Sequence, residues 1–248
     1  MSQMSELDSQ NVFSALYQGD LDALNHSEWA REAGITFDFL PWDIGGPQPA
    51  LTELEQSGQI RSEILDIGCG GGDNALFLAA SGYQVVGVDI ASPAVDRARA
   101  QARQRRLDAE FVAADATALT GYEGRFATVV DCTFSHGLTE QQRAAYLVAV
   151  HKACQPSALL HMICLSDSTP LKYPYGISKD YIHELFAETP GWVIRNLELV
   201  PFTTAFTRRY IEEQAASAVG DASDRAELRY DERDRLLAPA WMASVERL

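Results

Sequence analysis

The pattern of apolar and polar positions changes character at residue 64. Before it, Val12, Phe13, Leu16 and Tyr17 recur at helical spacing. After the loop Pro41–Pro49, Leu51 and Leu54 predict a short helix with Pro49 in its first turn. These stripes are too narrow to close a core alone, so residues 1–63 read as a helical N-terminal extension that serves as a lid. From residue 64 onward, short apolar runs alternate with helical stretches. Ile64–Ile67 runs into glycines and is followed by a helix Asn74–Ala80, stopped at Gly82. Tyr83–Asp89 is a second β-rich run, after which Ser92 and Pro93 supply an N-cap and a first-turn proline for a helix to about Leu107. Glu110–Ala113 and Ala127–Asp131 are predicted as the third and fourth strands. Thr139 and Gln142 form the capping box of a helix through Cys154, and Leu159–Leu165 is the fifth strand. A helix Ser178–Glu188, a strand Trp192–Val200 and a last strand within Pro239–Leu248 complete the reading.

Such alternation predicts an α/β fold: a Rossmann-like, doubly wound, mostly parallel seven-stranded sheet with helices on both faces. The last strand, joined without a crossover helix, is expected to run antiparallel beside the sixth. Residues 64–248 then form one domain, in which the charged, poorly periodic stretch 203–238 is expected to be an insertion over the site.

Composition narrows the class of partner. The 248 residues are 46% hydrophobic and carry 35 acidic against 20 basic side chains, a net charge of −15. Residues 1–63 alone hold eleven acidic groups against Arg31 and Arg61. This balance opposes a surface for nucleic acid or an anionic membrane, since both would be repelled. No apolar run reaches the ~18 residues of a membrane span, and the polar, acidic start does not read as a secretory or transit peptide. Cys69, Cys132, Cys154 and Cys164 stand far apart without a C-x-x-C pair, which disfavours a zinc site and fits thiols in a reducing compartment. A cytoplasmic protein is expected; nothing in the pattern specifies its oligomeric state.

The candidate chemistry lies in Asp66-Ile67-Gly68-Cys69-Gly70-Gly71-Gly72-Asp73. A strand entering a glycine-rich turn and then a helix lets a ligand approach the backbone near an electropositive helix start. Glycine content alone also fits a flexible turn. Asp73 stands where a G-x-G-x-x-G motif needs its third glycine, so the dinucleotide fingerprint fails and a nicotinamide-dependent oxidoreductase is disfavoured. Asp66 precedes the first glycine by two, Asp89 ends the second strand where a carboxylate can accept ribose hydroxyls, and Asp115-Ala116 follows the third strand. In an open α/β sheet these carboxyl-side tips converge on one crevice.

With these residues, the sequence over about 60–200 resembles the class I S-adenosylmethionine-dependent methyltransferases. The resemblance implies S-adenosylmethionine as cofactor, with no metal. It also implies the glycine loop Gly68 and Gly70 as cradle, Asp89 with Ile90 at the ribose, Asp115 and Ala116 at adenine, and Asp131 opening the catalytic face. Pro41-Trp42-Asp43-Ile44-Gly45-Gly46-Pro47-Gln48-Pro49 is similar to a stretch of the thiol, halide and thiopurine methyltransferase branch and of related bacterial phenol and quinolone methyltransferases. There it folds over the cofactor, which would set Trp42 beside the sulfonium, where cation–π attraction is favourable; core packing is the alternative for Trp42.

His136, just past the fourth strand, is the candidate general base, or else a residue that contacts cofactor or caps a loop. His151, His161 and His183 read as core or surface residues, and the arginines between Arg97 and Arg106 as a solvated face. Lys172–Tyr175, with Arg208, Arg209 and Tyr210, is placed to line an acceptor pocket. The expected reaction is methyl transfer to a sulfur, oxygen or nitrogen atom of a small-molecule acceptor. A non-catalytic cofactor-binding regulator or scaffold is the alternative. A nucleic-acid methyltransferase is opposed by charge and by Asp131-Cys132-Thr133-Phe134, which lacks the prolines of a base-flipping motif.

Overall fold

The computed structural model describes residues 6–169, 171, 176–219 and 227–248, with the side chains of 6–8 and of His136 outside the description. Among the described residues eight strands, β1 (Ile64–Ile67), β2 (Val85–Asp89), β3 (Glu110–Ala113), β4 (Phe126–Cys132), β5 (Cys154–Leu165), β6 (Trp192–Thr207), β7 (Arg229–Tyr230) and β8 (Arg235–Arg247), make one sheet. Its order is β3-β2-β1-β4-β5-β8-β6, with the two-residue β7 paired to β8. The first five strands are parallel, and β8 runs antiparallel between β5 and β6. All four residues of β1 are buried, as a strand covered on both faces requires.

Among the described residues, nine α-helices accompany the sheet. α1 (Glu6–Tyr17), α2 (Asp22–Asn25), α3 (Glu28–Ala33) and α4 (Pro49–Gln56) precede β1. α5 (Asp73–Ala80), α6 (Ser92–Arg105) and α7 (Glu140–Ala153) are the crossovers, α8 (Lys179–Glu188) leads into β6, and α9 (Arg208–Glu213) follows it. α6 buries Ala94, Val95, Ala98 and Ala102, a helical stripe that seats it on the sheet while its arginines face outward. The Thr139–Gln142 capping box is present in both directions. Ser92 is the first helical residue of α6 rather than its cap. Ala91 takes the cap position without a side-chain bond, and Asp89 Oδ1 accepts the Ala91 N–H at 2.8 Å.

Several boundaries differ from the sequence reading. β5 starts at Cys154, because a register shift between Phe126 and Thr128 absorbs the irregular backbone around Ser157 (φ +60°). β6 continues past Val200 to Thr207 because β8 pairs with it as far as Arg235. Pro201 is tolerated there since β6 is the sheet edge. The expected insertion 203–238 is correspondingly shorter, its ends being strand; the connection between β6 and β8 is 208–234.

Apolar side chains gather on each face of the sheet, with α7 and α8 on one side and α4, α5 and α6 on the other. A third cluster lies apart from the sheet layers. It joins Leu16, Trp29 and Phe37 of the N-terminal segment to Phe206, Ile211, Ala215 and Val219 around α9. Neither segment closes a core alone; each supplies the other's missing face. Among the described residues, no helix is long and apolar enough to cross a membrane.

Candidate active site

Parallel pairing sets the tips of four strands side by side. Ile67 of β1 pairs with Val88 of β2 and Asp131 of β4, and Asp89 pairs with Ala113 of β3. Gly68–Gly72 therefore leaves the sheet between Asp89 and Asp131. Its path requires glycine, most closely at the two points that face the cleft. At Gly68 (φ +63°) a Cβ would stand 2.7 Å from the Phe134 ring, and at Gly70 (φ +52°) 2.2 Å from the Tyr17 hydroxyl. Asp89 fixes the loop: its Oδ2 accepts the Gly70 N–H at 2.9 Å.

A cleft of about 80 Å³ lies over this loop, bounded by Tyr17, Trp42, Asp43, Gln48, the glycine loop, Asn74, Cys132, Thr133 and Phe202. The stretch 41–49 forms its outer wall and is tied at every turn. The Pro41 carbonyl accepts the Ala205 N–H at 2.8 Å, and Asp43 pairs with Arg97 of α6 at 2.8 Å. Arg235 donates to the Ile44 carbonyl at 3.1 Å. Gln48, buried between two prolines, exchanges both amide bonds with the Thr203 backbone (2.9 and 3.1 Å), and its own N–H reaches Asn74 Oδ1 at 3.0 Å. On the inner side the Trp42 indole lies beside the Tyr17 hydroxyl. Burial, with the nearby Asp89 carboxylate adding to it, pushes the Tyr17 phenol well up, so this hydroxyl stays neutral.

Of the residues expected to contact a cofactor, Trp42, Gly68 and Gly70 line the cleft. Asp66 is buried beneath it, and Asp89 and Ile90 stand beside it at the tip of β2. Asp115 lies one strand further out, its carboxylate accepting the Thr117 N–H (2.8 Å) and hydroxyl (2.6 Å), next to the buried Ala116. Asp131 does not reach the lining. It is fully buried, with Oδ2 accepting the Tyr146 hydroxyl at 2.9 Å and Oδ1 the N–H groups of Phe134 (3.0 Å) and Ser135 (3.3 Å). This carboxylate shapes the turn after β4. The His136 backbone lies in the 3-10 turn Ser135–Gly137 that it shapes. Lys172–Tyr175 lie outside the described residues. Arg208 pairs with Asp234 and Arg209 with Glu213 in exposed ion pairs, while Tyr210 donates to the Thr36 carbonyl at 2.7 Å and packs against the third cluster.

Several site residues carry no mark in the sequence pattern. Tyr17 reads only as the end of an apolar stripe. Arg97 reads as one of a solvated row, yet it reaches back to Asp43 and lies against Gly71. Thr133 adopts φ +62° on the cleft wall, an uncommon conformation for a β-branched residue that typically stores about 1–3 kcal/mol. Gln48 had a usable signal: a polar residue between prolines, beside an apolar helix, has to find backbone partners if buried.

Comparison with known proteins adds to this geometry. The family profile described as a methyltransferase domain matches residues 64–157. The 2-heptyl-1-hydroxyquinolin-4(1H)-one methyltransferase of Mycobacteroides abscessus is 39% identical over 119 residues, which is 48% of this chain and 52% of that protein. The probable thiol methyltransferase 2 of Arabidopsis thaliana is 33% identical over 90 residues, covering 36% of this chain and 37% of that one. The chain thus matches about half the length, or less, of these two curated relatives. A protein solved in work on the conversion of a disulfide bond into a thioacetal group during echinomycin biosynthesis is 31% identical, covers 96% of this chain and 92% of its own, and superposes with a TM-score of 0.74. Magnesium protoporphyrin IX methyltransferase from Synechocystis, solved with bound S-adenosylmethionine, shares the fold over both whole chains (TM-score 0.59) at 13% identity.

Proposed function

Because the chain belongs to the class I S-adenosylmethionine-dependent methyltransferases, we propose that it moves the sulfonium methyl group to a sulfur, oxygen or nitrogen atom of a small molecule. Thiols, phenols and hydroxylated heterocycles are the acceptor classes. The observation that carries this reading is the glycine loop held by Asp89 under Tyr17 and Trp42, with a buried carboxyl, Asp66, below it.

The residues fit the donor. The loop has glycine where a Cβ would collide with the Phe134 ring or the Tyr17 hydroxyl packed over it, and Asp66 Oδ2 is buried without a partner in an acidic setting that suits a cation. Gly68 and Gly70 would cradle it, Asp89 and Ile90 would hold the sugar, and Asp115 with Ala116 would meet the adenine. Trp42 would face the sulfonium, an interaction worth roughly 0.5–2 kcal/mol. When bound, the donor supplies an electrophilic methyl and leaves as a neutral thioether.

In-line displacement needs little covalent help from the protein. Tyr17, Trp42 and Phe202 give the cleft its aromatic wall, and catalysis would consist mainly of holding the nucleophile ~3–3.5 Å from the methyl carbon. A thiol with a reference pKa of ~8.5 supplies some thiolate unaided, whereas a phenol near ~10 benefits more from a base. His136, on the turn after β4, takes that role for hydroxyl acceptors. The names of the two curated relatives, a hydroxyquinolinone methyltransferase and a probable thiol methyltransferase, support these classes over free halide.

A radiolabelled methyl-transfer screen against thiols, phenols and hydroxyquinolines tests the proposal, with turnover expected in at least one class. Calorimetric binding of S-adenosylhomocysteine without turnover across the panel would make the protein a non-catalytic binder. Asp89→Ala is expected to weaken S-adenosylhomocysteine by roughly tenfold or more, since it removes both a charged acceptor and the anchor of Gly70. His136→Ala with unchanged rates on thiols and phenols alike would remove the base.

A further inference from the structure

Three carboxyl groups meet at the tips of β1, β2 and β4, and their hydrogen-bond supply is unequal. Asp131 receives the Tyr146 hydroxyl and two backbone N–H groups, and Asp89 receives the N–H groups of Gly70 and Ala91. Donors of this kind stabilise the ionised form. Asp66, 1% exposed, has only the nearby Ala75 amide to favour its ionised form, and its Oδ2 has no partner.

The groups facing Asp66 offer it no positive charge. Asp89 stands on β2, Asp131 on β4, Cys69 on the glycine loop and Cys132 at the end of β4. Burial pushes both thiols far up, so they remain neutral. The cleft itself is lined by Asp43 and Asp73 but, among the described residues, by no lysine, arginine or histidine. Arg97 at the rim is already paired with Asp43. A buried carboxyl with a single amide near it and no counter-ion keeps its proton. Burial first, then Asp89 and Asp131, raise the Asp66 carboxyl to about 8.

S-adenosylmethionine carries a fixed positive charge on sulfur that S-adenosylhomocysteine lacks. Resting on the donor reading above, we infer that Asp66 gives up its proton to solvent when the cationic donor is seated and takes one back once the methyl has left, so that the site reads the sulfonium charge. The O–H bond of Asp66 is the only bond broken in this step, and no bond to the donor is made. Asp66 is therefore a charge-compensating residue that favours donor over product, and its reprotonation weakens the hold on the product.

Calorimetry of the wild-type protein with S-adenosylmethionine and with S-adenosylhomocysteine, in buffers of different ionisation enthalpy, reads the proton directly. Expected at pH 7 is release of about one proton with the sulfonium compound and clearly less with the thioether. From pH 6 to 8 the affinity for S-adenosylmethionine should climb toward tenfold per unit while that for S-adenosylhomocysteine stays nearly flat. Asp66→Asn, close in shape, should lower the first affinity roughly tenfold, abolish its pH dependence and spare the second. Equal proton release with both ligands, or an Asp66→Asn variant that loses both equally, would overturn the inference while leaving the donor reading intact. Absence of binding of either ligand to the wild-type protein would overturn that reading, and this inference with it.

Discussion

The hydroxyl of Tyr17 lies against Gly70, so close that a methyl group built on that glycine would stand 2.2 Å from the oxygen. The end of α1 and the first glycine loop are therefore fitted to each other across 53 residues of chain. Gly70→Ala should unseat α1, adding to the roughly 1–2 kcal/mol cost of a left-handed alanine. Protease cleavage within the first 40 residues is the expected sign. Adding Tyr17→Phe removes the colliding oxygen and should restore part of the protection; no rescue in the double variant would show that the two residues are not coupled.

The Asp43–Arg97 pair clips the outer wall of the cleft to α6. Its partners are 24% and 43% exposed, which limits its worth to about 1 kcal/mol or less. Asp43→Asn should weaken donor binding only several-fold and make that binding less sensitive to added salt. Titration of donor affinity at low and high ionic strength checks this, with an unchanged salt slope counting against the clip.

Thr133 holds φ +62° while its N–H donates to the Ile163 carbonyl at 2.8 Å. Thr133→Gly should relieve roughly 1 kcal/mol of strain and raise the unfolding midpoint by about 2–4 °C. The looser turn should cost turnover, because it carries the cleft wall and leads into His136. A variant that is both no more stable and fully active would argue that the conformation is neither strained nor used.

His161 sits inside β5 with Nδ1 at 2.9 Å from Ser244 Oγ and Nε2 at 3.4 Å from the Gln59 carbonyl. Burial lowers its pKa to about 4. The unfolded chain takes up a proton below about 6.5 and the folded one does not until near 4, so stability falls as pH falls through that window, by roughly 3 kcal/mol. Denaturant titrations at pH 7, 5.5 and 4 should show this loss, and His161→Gln should flatten it.

Much of the sheet was legible because a continuous apolar run such as Ile64–Ile67, ending in glycine and followed by a helix, has few other solutions. The capping box of α7 was equally local and equally readable. What escaped the sequence depends on partners far along the chain. The extra length of β6 follows from pairing with β8, and the placement of Arg97 depends on a loop 54 residues upstream. Asp131 shows the same limit from the other side. Its position at a strand tip was visible, but the Tyr146 hydroxyl that turns it inward comes from α7. Tyr17 and Thr133 fill ordinary slots in their local patterns and acquire their surroundings only when the chain closes.

The third apolar cluster has a consequence for exchanging parts between relatives. Trp29 meets Phe206 edge-on and Phe37 meets it at a tilt, and the Ser217 hydroxyl donates to the Ala33 carbonyl at 2.8 Å, so the beginning of the chain and the connection after β6 form one cassette. A graft that moves the first 40 residues alone would leave two unmatched greasy half-surfaces. Acceptor preference carried by either piece should therefore transplant only when both travel together.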